Sequence, residues 1–175
     1  FRMLPMITPF SRYLGQPLLV LCTGNSARSI LLECLLKDLG NGRVTAFSAG
    51  SHPTGKVDPF GLAVLDAKGH ETKGLTSKSW DVFASSEAPN MDVVITVCSS
   101  AAGETCPIWP GAPIRAHWGV DDPAAVIGLD QEKEAAFKSA YDQLKRHAVA
   151  LIATPFENMS PIALSQLLNR IAEQT

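Results

Sequence analysis

From Leu18 to Leu21 four apolar residues stand in a row and end on Cys22, and after a short polar stretch the apolar positions resume in Ile30-Leu31-Leu32-Glu33-Cys34-Leu35-Leu36. The first pattern suits a strand buried on both faces, and the second suits the helix that crosses over it. Arg43 to Ser48 reads as a second strand ending at Gly50. Asp58 then caps a helix that opens on Pro59 and reaches about Lys68, with Gly69 just beyond. Ser79 caps a short helix through Val82 and Phe83, and the β-branched Met91 to Val97 is a third strand. A fourth lies within Ile114 to Trp118. From Leu129 to Ile152 helical spacing of Ala135, Ala136, Tyr141, Leu144 and Ala148 predicts one long helix. Ser160-Pro161 opens a last amphipathic helix with Leu164, Leu167, Leu168 and Ile171 inside. Strands separated by helices imply right-handed crossovers and an α/β fold, a doubly wound four-stranded parallel sheet flanked by helices. Its site is expected at the carboxyl ends of the strands.

Length narrows the organisation: 175 residues make one ordinary domain. The pattern assigns 17–155 to that domain and 156–175 to an amphipathic helix packed on it. Residues 1–16, with two prolines in FRMLPMITPFSRYLG and no initial Met, are expected to be an arm, a processed end or an expression remnant, and they fit a secretory signal poorly. A net charge of −2 gives no basic excess for nucleic acid, and no apolar run approaches the ~20 residues of a spanning helix. No nucleic acid or membrane partner is therefore expected.

Candidate chemistry begins where the first strand ends. In Cys22-Thr23-Gly24-Asn25-Ser26-Ala27-Arg28-Ser29 a loop at the carboxyl end of a strand feeds a helix N-terminus, so backbone N–H groups and the helix dipole converge on a tetrahedral oxyanion. Gly24 lets the backbone approach it. Cys22 lies at the bottom of this cradle, and Arg28 closes over the rim. Those positive groups predict a thiol pKa depressed below about 8.5. The plainer reading is a core thiol ending a strand.

Cys98-Ser99-Ser100-Ala101-Ala102-Gly103-Glu104-Thr105-Cys106 opens at the end of the third strand, on the same rim as Cys22. A small, polar segment between two thiols is what a thiol relay needs. The alternative is one buried thiol and one incidental loop thiol. Cys34, between Leu31 and Leu35 on the helix, reads as an inert core residue. Separated thiols suit a reducing cytoplasm better than structural disulfides do. No Cys-x-x-Cys or paired His spacing supports a metal, since His52, His70, His117 and His147 are scattered. Asp121-Asp122-Pro123 is either an acid near the site or a turn and helix cap.

Cys22 to Ser29 resembles the phosphate-binding loop of the low-molecular-weight protein tyrosine phosphatase fold, and within it the arsenate reductase branch. Phe47-Ser48-Ala49-Gly50-Ser51-His52-Pro53, Thr96-Val97-Cys98, Cys106-Pro107-Ile108-Trp109-Pro110 and His117-Trp118-Gly119-Val120-Asp121-Asp122-Pro123 continue it, in register from about Pro17 to about Ala153. What the resemblance implies is arsenate reduction to arsenite, for arsenic detoxification. No cofactor or metal is assigned: some relatives bind potassium near this loop, where Glu33 and Ser48 match, but Lys78 stands in place of an acid, so that its ammonium can replace the ion. Cys22 is then the nucleophile, and Thr23, Gly24, Asn25, Ser26, Ala27, Arg28 and Ser29 hold arsenate, with phosphate competing. Asn25 and Ser29 keep the loop's shape and hydrogen-bond the thiolate. Asp122 is the general acid, and His117 and Trp118 are either pocket walls or core and surface residues. Cys98 pairs with Cys22 and then with Cys106, and a thioredoxin-like reductant closes the cycle. Departures from the pattern are Ala27 before the arginine, a Cys98 to Cys106 spacer one residue longer, and Ala124 where tyrosine phosphatases commonly place an aromatic. The alternatives are a low-molecular-weight tyrosine phosphatase and a non-enzymatic oxyanion or redox sensor.

Overall fold

The computed structural model describes residues 15–99, 109 and 111–174. Four strands, β1 (Gln16–Cys22), β2 (Val44–Gly50), β3 (Val93–Thr96) and β4 (Ile114–His117), form one sheet in the order β2-β1-β3-β4. Every pair is parallel, with Leu21 opposite both Ala49 and Thr96. From β1 the chain steps to β2 at one edge of the sheet, and from β2 it passes back beyond β1 to β3. The carboxyl ends of β1 and β3 therefore border the point where the windings diverge, the place in an open parallel sheet where ligands bind.

Helices α1 (Arg28–Gly40), α2 (Pro59–Ala67), α3 (Asp130–Ile152) and α4 (Pro161–Glu173) follow the predicted pattern closely. Asp58 accepts from the Phe60 N–H with Pro59 in the first turn, and Ser160 accepts from the Ala163 N–H with Pro161 likewise placed. Ser79 caps the single turn Trp80–Phe83 through the Asp81 N–H. Two details differ from the sequence reading. β3 is shorter than Met91 to Val97, because Met91 turns into the second core cluster. On α3 the inner face is carried by Phe137, Ala140, Tyr141, Leu144 and Ala148, while Ala135 is exposed.

The period-two alternation of the strands separates two clusters. Leu18, Val20, Val93 and Ile95 meet α1, α3, α4 and Leu65 of α2, whereas Leu19, Leu21 and Val94 meet Phe83, Met91 and Trp109. Helix α1 is buried along most of its surface, including Cys34, which is 3% exposed. Trp118, fully buried just past β4, donates its indole N–H to the Leu168 carbonyl at 3.0 Å and ties α4 to the segment that carries Asp122. No helix among the described residues is long and apolar enough to cross a membrane.

Candidate active site

Residues 23–27 join β1 to α1, and their carbonyls are drawn outward. His52 N–H donates to the Thr23 carbonyl, Thr54 N–H to Gly24 and Asp58 N–H to Ser26, all within 2.9–3.0 Å, and the Ser77 hydroxyl donates to the Gly24 carbonyl at 3.1 Å. With the carbonyls engaged outside, the amide N–H groups are left for the inside of the loop, and the Gly24 N–H faces the Cys22 sulfur. Asn25 adopts the left-handed conformation (φ 43°) that lets the chain turn tightly. It is fully buried and frames the loop: its amide nitrogen donates to Ser29 Oγ at 2.8 Å and Ser48 Oγ at 3.0 Å, and its oxygen accepts from the Lys78 N–H at 2.9 Å.

Gly50, at the end of β2, packs directly on this loop. A Cβ there would fall on the Thr23 carbonyl oxygen and 3.0 Å from the Asn25 nitrogen, both backbone atoms that cannot swing aside. Gly50→Ala is therefore expected to deform the loop and weaken phosphate binding by at least roughly tenfold, about 1.4 kcal/mol. Titration of phosphate against the folded variant checks this, and unchanged affinity would show that the loop tolerates the shift.

The sequence-selected residues converge at the mouth of the loop. Arg28, the first residue of α1, donates from Nη1 to the Val120 carbonyl at 2.9 Å and places Nη2 3.4 Å from Asp122 Oδ2. Its Nε is buried with no partner among the described residues. Asp122 caps a turn and also lies beside Arg28: Oδ1 accepts from the Ala124 N–H at 3.0 Å, capping the turn Pro123–Ala125, while Oδ2 faces Arg28. Cys98, 3% exposed beyond β3, faces the Cys22 thiol, and its sulfur lies 3.5 Å from the Thr23 hydroxyl. Cys22, Arg28, Cys98 and Asp122 are thus brought together, with Thr23 to Ala27 forming the floor. Asn25 and Ser29 bond to each other beneath it. Cys106 lies outside the described residues. His117 and Trp118 take surface and core places: His117 is exposed and held by Thr96 at 2.7 Å, and Trp118 is in the core.

The expected depression of the Cys22 pKa is corrected. Cys22 is raised above an ordinary thiol, first by its hydrogen bond with the Cys98 thiol and then by burial, and Arg28 and the Gly24 N–H pull it down only in part. Two facing thiols titrate as a unit, because charge on one sulfur opposes charge on the other. The sequence showed the positive groups and set Cys98 on the same rim, but not that the second sulfur and burial outweigh those groups. Cys34 is pushed up to about 12, chiefly by burial. Sequence reasoning also assigned no part to Ser77 or to the Val120 carbonyl, a serine in a loop and a backbone group, which carry no compositional signal. Among the described residues no group of three His, Cys, Asp or Glu side chains is placed to hold a metal ion.

A fold with its site at a β1–α1 loop and this strand order defines a class. The chain belongs to the low molecular weight phosphotyrosine protein phosphatase family, whose model it matches over residues 17–160. Among its relatives is an arsenate reductase of Bacillus subtilis, 36% identical over 124 residues that cover 71% of this chain and 86% of the reductase. A solved arsenate reductase in a phosphate binding state is 29% identical, with 79% of this chain and 97% of that one covered and a TM-score of 0.64. A low molecular weight phosphotyrosine phosphatase from Vibrio cholerae shares the fold with a TM-score of 0.63 at 21% identity, covering 79% and 95% of the two chains.

Proposed function

We propose that this protein reduces arsenate to arsenite through thiol chemistry, with Cys22 as nucleophile. The observation that carries the reading is the Cys98 thiol beside Cys22 and 3.5 Å from the Thr23 hydroxyl of the loop, since phosphate ester hydrolysis has no use for a second sulfur there. Identity to the curated arsenate reductases supports it independently.

Dianionic arsenate enters the loop and takes the Cys22 proton. Thiol plus dianion carries the same total charge as thiolate plus monoanion, so a raised thiol pKa does not block the step. Loop N–H groups and Arg28, which exchanges Asp122 for the ligand, hold the anion. The thiolate forms a sulfur–arsenic bond while an arsenic–oxygen bond breaks, and Asp122 protonates the oxygen that leaves as water. Cys98 then attacks the Cys22 sulfur. A disulfide forms, the sulfur–arsenic electron pair stays on arsenic, and arsenite departs. Cys106 takes over Cys98 and releases Cys22, and a thioredoxin-like dithiol reduces the Cys98–Cys106 pair. Such a cycle needs a reducing compartment, which is why a cytoplasmic site of action belongs to the proposal.

Cys98→Ser tests the reading. The variant is expected to hydrolyse an aryl phosphate at near wild-type rate yet fail to turn over arsenate. Removing Cys98 also removes the largest cause raising Cys22, so Cys22 is expected to alkylate faster at neutral pH. Equal loss in both enzyme assays would make Cys98 structural, and full arsenate turnover would overturn the relay.

A further inference from the structure

The segment that follows β2 runs beside the anion loop and meets its carbonyls in turn, His52 at Thr23, Thr54 at Gly24 and Asp58 at Ser26. The Gly24 carbonyl takes a second donor, the Ser77 hydroxyl at 3.1 Å. That hydroxyl is itself an acceptor, because the Gly55 N–H donates to it at 3.2 Å. A serine hydroxyl has one proton and two lone pairs, so with Gly55 on a lone pair the proton is left for Gly24. The direction of the Ser77 O–H is thus set from behind, by the wall of the site.

On the far side of the same peptide is the Asn25 N–H. The peptide bonds of the described residues are trans, and a trans peptide points its N–H opposite to its carbonyl. A Gly24 carbonyl turned outward therefore turns the Asn25 N–H toward the inside of the loop. Carbonyl and N–H share one delocalised system, so a donor on the oxygen draws charge from the nitrogen and strengthens the N–H as a donor. Gly55 N–H, Ser77 O–H, the Gly24–Asn25 peptide and a bound oxyanion form one chain running in a single direction, in which each bond polarises the next.

We propose that Ser77 is a positioning residue for the oxyanion site: its hydroxyl, aimed by the Gly55 N–H, polarises the Gly24–Asn25 peptide and raises anion affinity from outside the loop. Shape has other supports. The Thr54 N–H holds the Gly24 carbonyl at 3.0 Å without Ser77, and a Cβ at Gly24 would lie 3.3 Å from Thr54 Cγ2, so wall and loop are packed together there. What the Ser77 hydroxyl adds is donor strength.

The proposal rests on the reading of the loop as an oxyanion site but not on arsenate chemistry, so its test uses inorganic phosphate. Cys22 of the whole protein is alkylated with iodoacetamide at rising phosphate concentration, and the concentration giving half-protection is read by peptide mass. In Ser77→Ala that concentration is expected to rise about threefold to tenfold, the usual worth of one hydrogen bond. Ser77→Thr keeps the hydroxyl, and its methyl has room, because Ser77 borders a surface hollow of about 460 Å³ with Gly55, Thr72 and Leu75. Half-protection in that variant is expected within about twofold of wild type.

Amide proton resonances of the phosphate-bound protein separate polarisation from loss of shape. In Ser77→Ala the Asn25 amide proton should move upfield, while that of Ala27, whose peptide carbonyl at Ser26 is held by the Asp58 N–H, should stay in place. Unchanged half-protection in Ser77→Ala, a loss in Ser77→Thr as large as in Ser77→Ala, or the two amides moving together would overturn the proposal. Wild type that phosphate fails to protect would instead overturn the site reading, and the proposal with it. Should Ser77→Ala fail to fold, Ser77→Cys decides, since a thiol keeps the shape but is a weaker donor. Phosphate affinity is expected to fall in that variant too, and a wild-type value would overturn the proposal.

Discussion

A Cys22→Ser variant is expected to lose arsenate turnover by more than about 10⁴-fold while still binding phosphate. The loss is large because the sulfur does two things that oxygen cannot. It is a far better nucleophile toward arsenic, and in the proposed cycle it later accepts attack by Cys98 to give the disulfide that supplies both electrons. Phosphate binding should survive because it rests on the loop N–H groups and Arg28, and serine leaves the framing bonds of Asn25 and the outward carbonyls in place. Turnover and phosphate titration on the same preparation separate chemistry from folding. Retained turnover would remove Cys22 from the reaction, and lost phosphate binding would mean that the thiol shapes the loop.

How far the site was legible in the sequence follows from the range of the interactions that build it. Leu18 to Leu21 are at most 2% exposed, so a continuous apolar run told the truth about a strand covered on both faces. Asp58, Ser79 and Ser160 were recognisable as caps because a cap bonds only two or three residues ahead. The loop was legible for the same local reason: glycine, small polar residues and an arginine opening a helix specify an anion cradle over a handful of positions. What resisted reading depends on register between distant segments. Strand order alone placed Cys98 on the rim beside Cys22, but how closely the two sulfurs meet follows from the register that pairs Thr96 with Leu21 across β1 and β3. That contact, together with burial, reverses the direction of the Cys22 pKa. The Ser77 contact with the Gly24 carbonyl arises where a loop returns to the free side of β2, and no spacing rule connects position 24 with position 77.

The second large effect is expected at Asp122. Asp122→Asn should slow the first chemical step by about 10² to 10⁴, the usual worth of a placed general acid. Asparagine is a close probe because its side-chain oxygen can still accept from the Ala124 N–H, so the cap of Pro123–Ala125 is kept while the transferable proton is lost. Oxyanion binding should not weaken. Asp122 Oδ2 lies 3.4 Å from Arg28 Nη2, and neutralising it frees the guanidinium for the anion. Rate and affinity are therefore expected to part company, with turnover falling while phosphate binds as well as before or better. Aryl phosphates sharpen the distinction. An acid matters least when the leaving group is already a stable anion, so the variant should slow phenyl phosphate hydrolysis far more than that of p-nitrophenyl phosphate. If both esters slow equally, or if phosphate affinity falls in step with the rate, Asp122 serves to position Arg28 and the proton must come from another group.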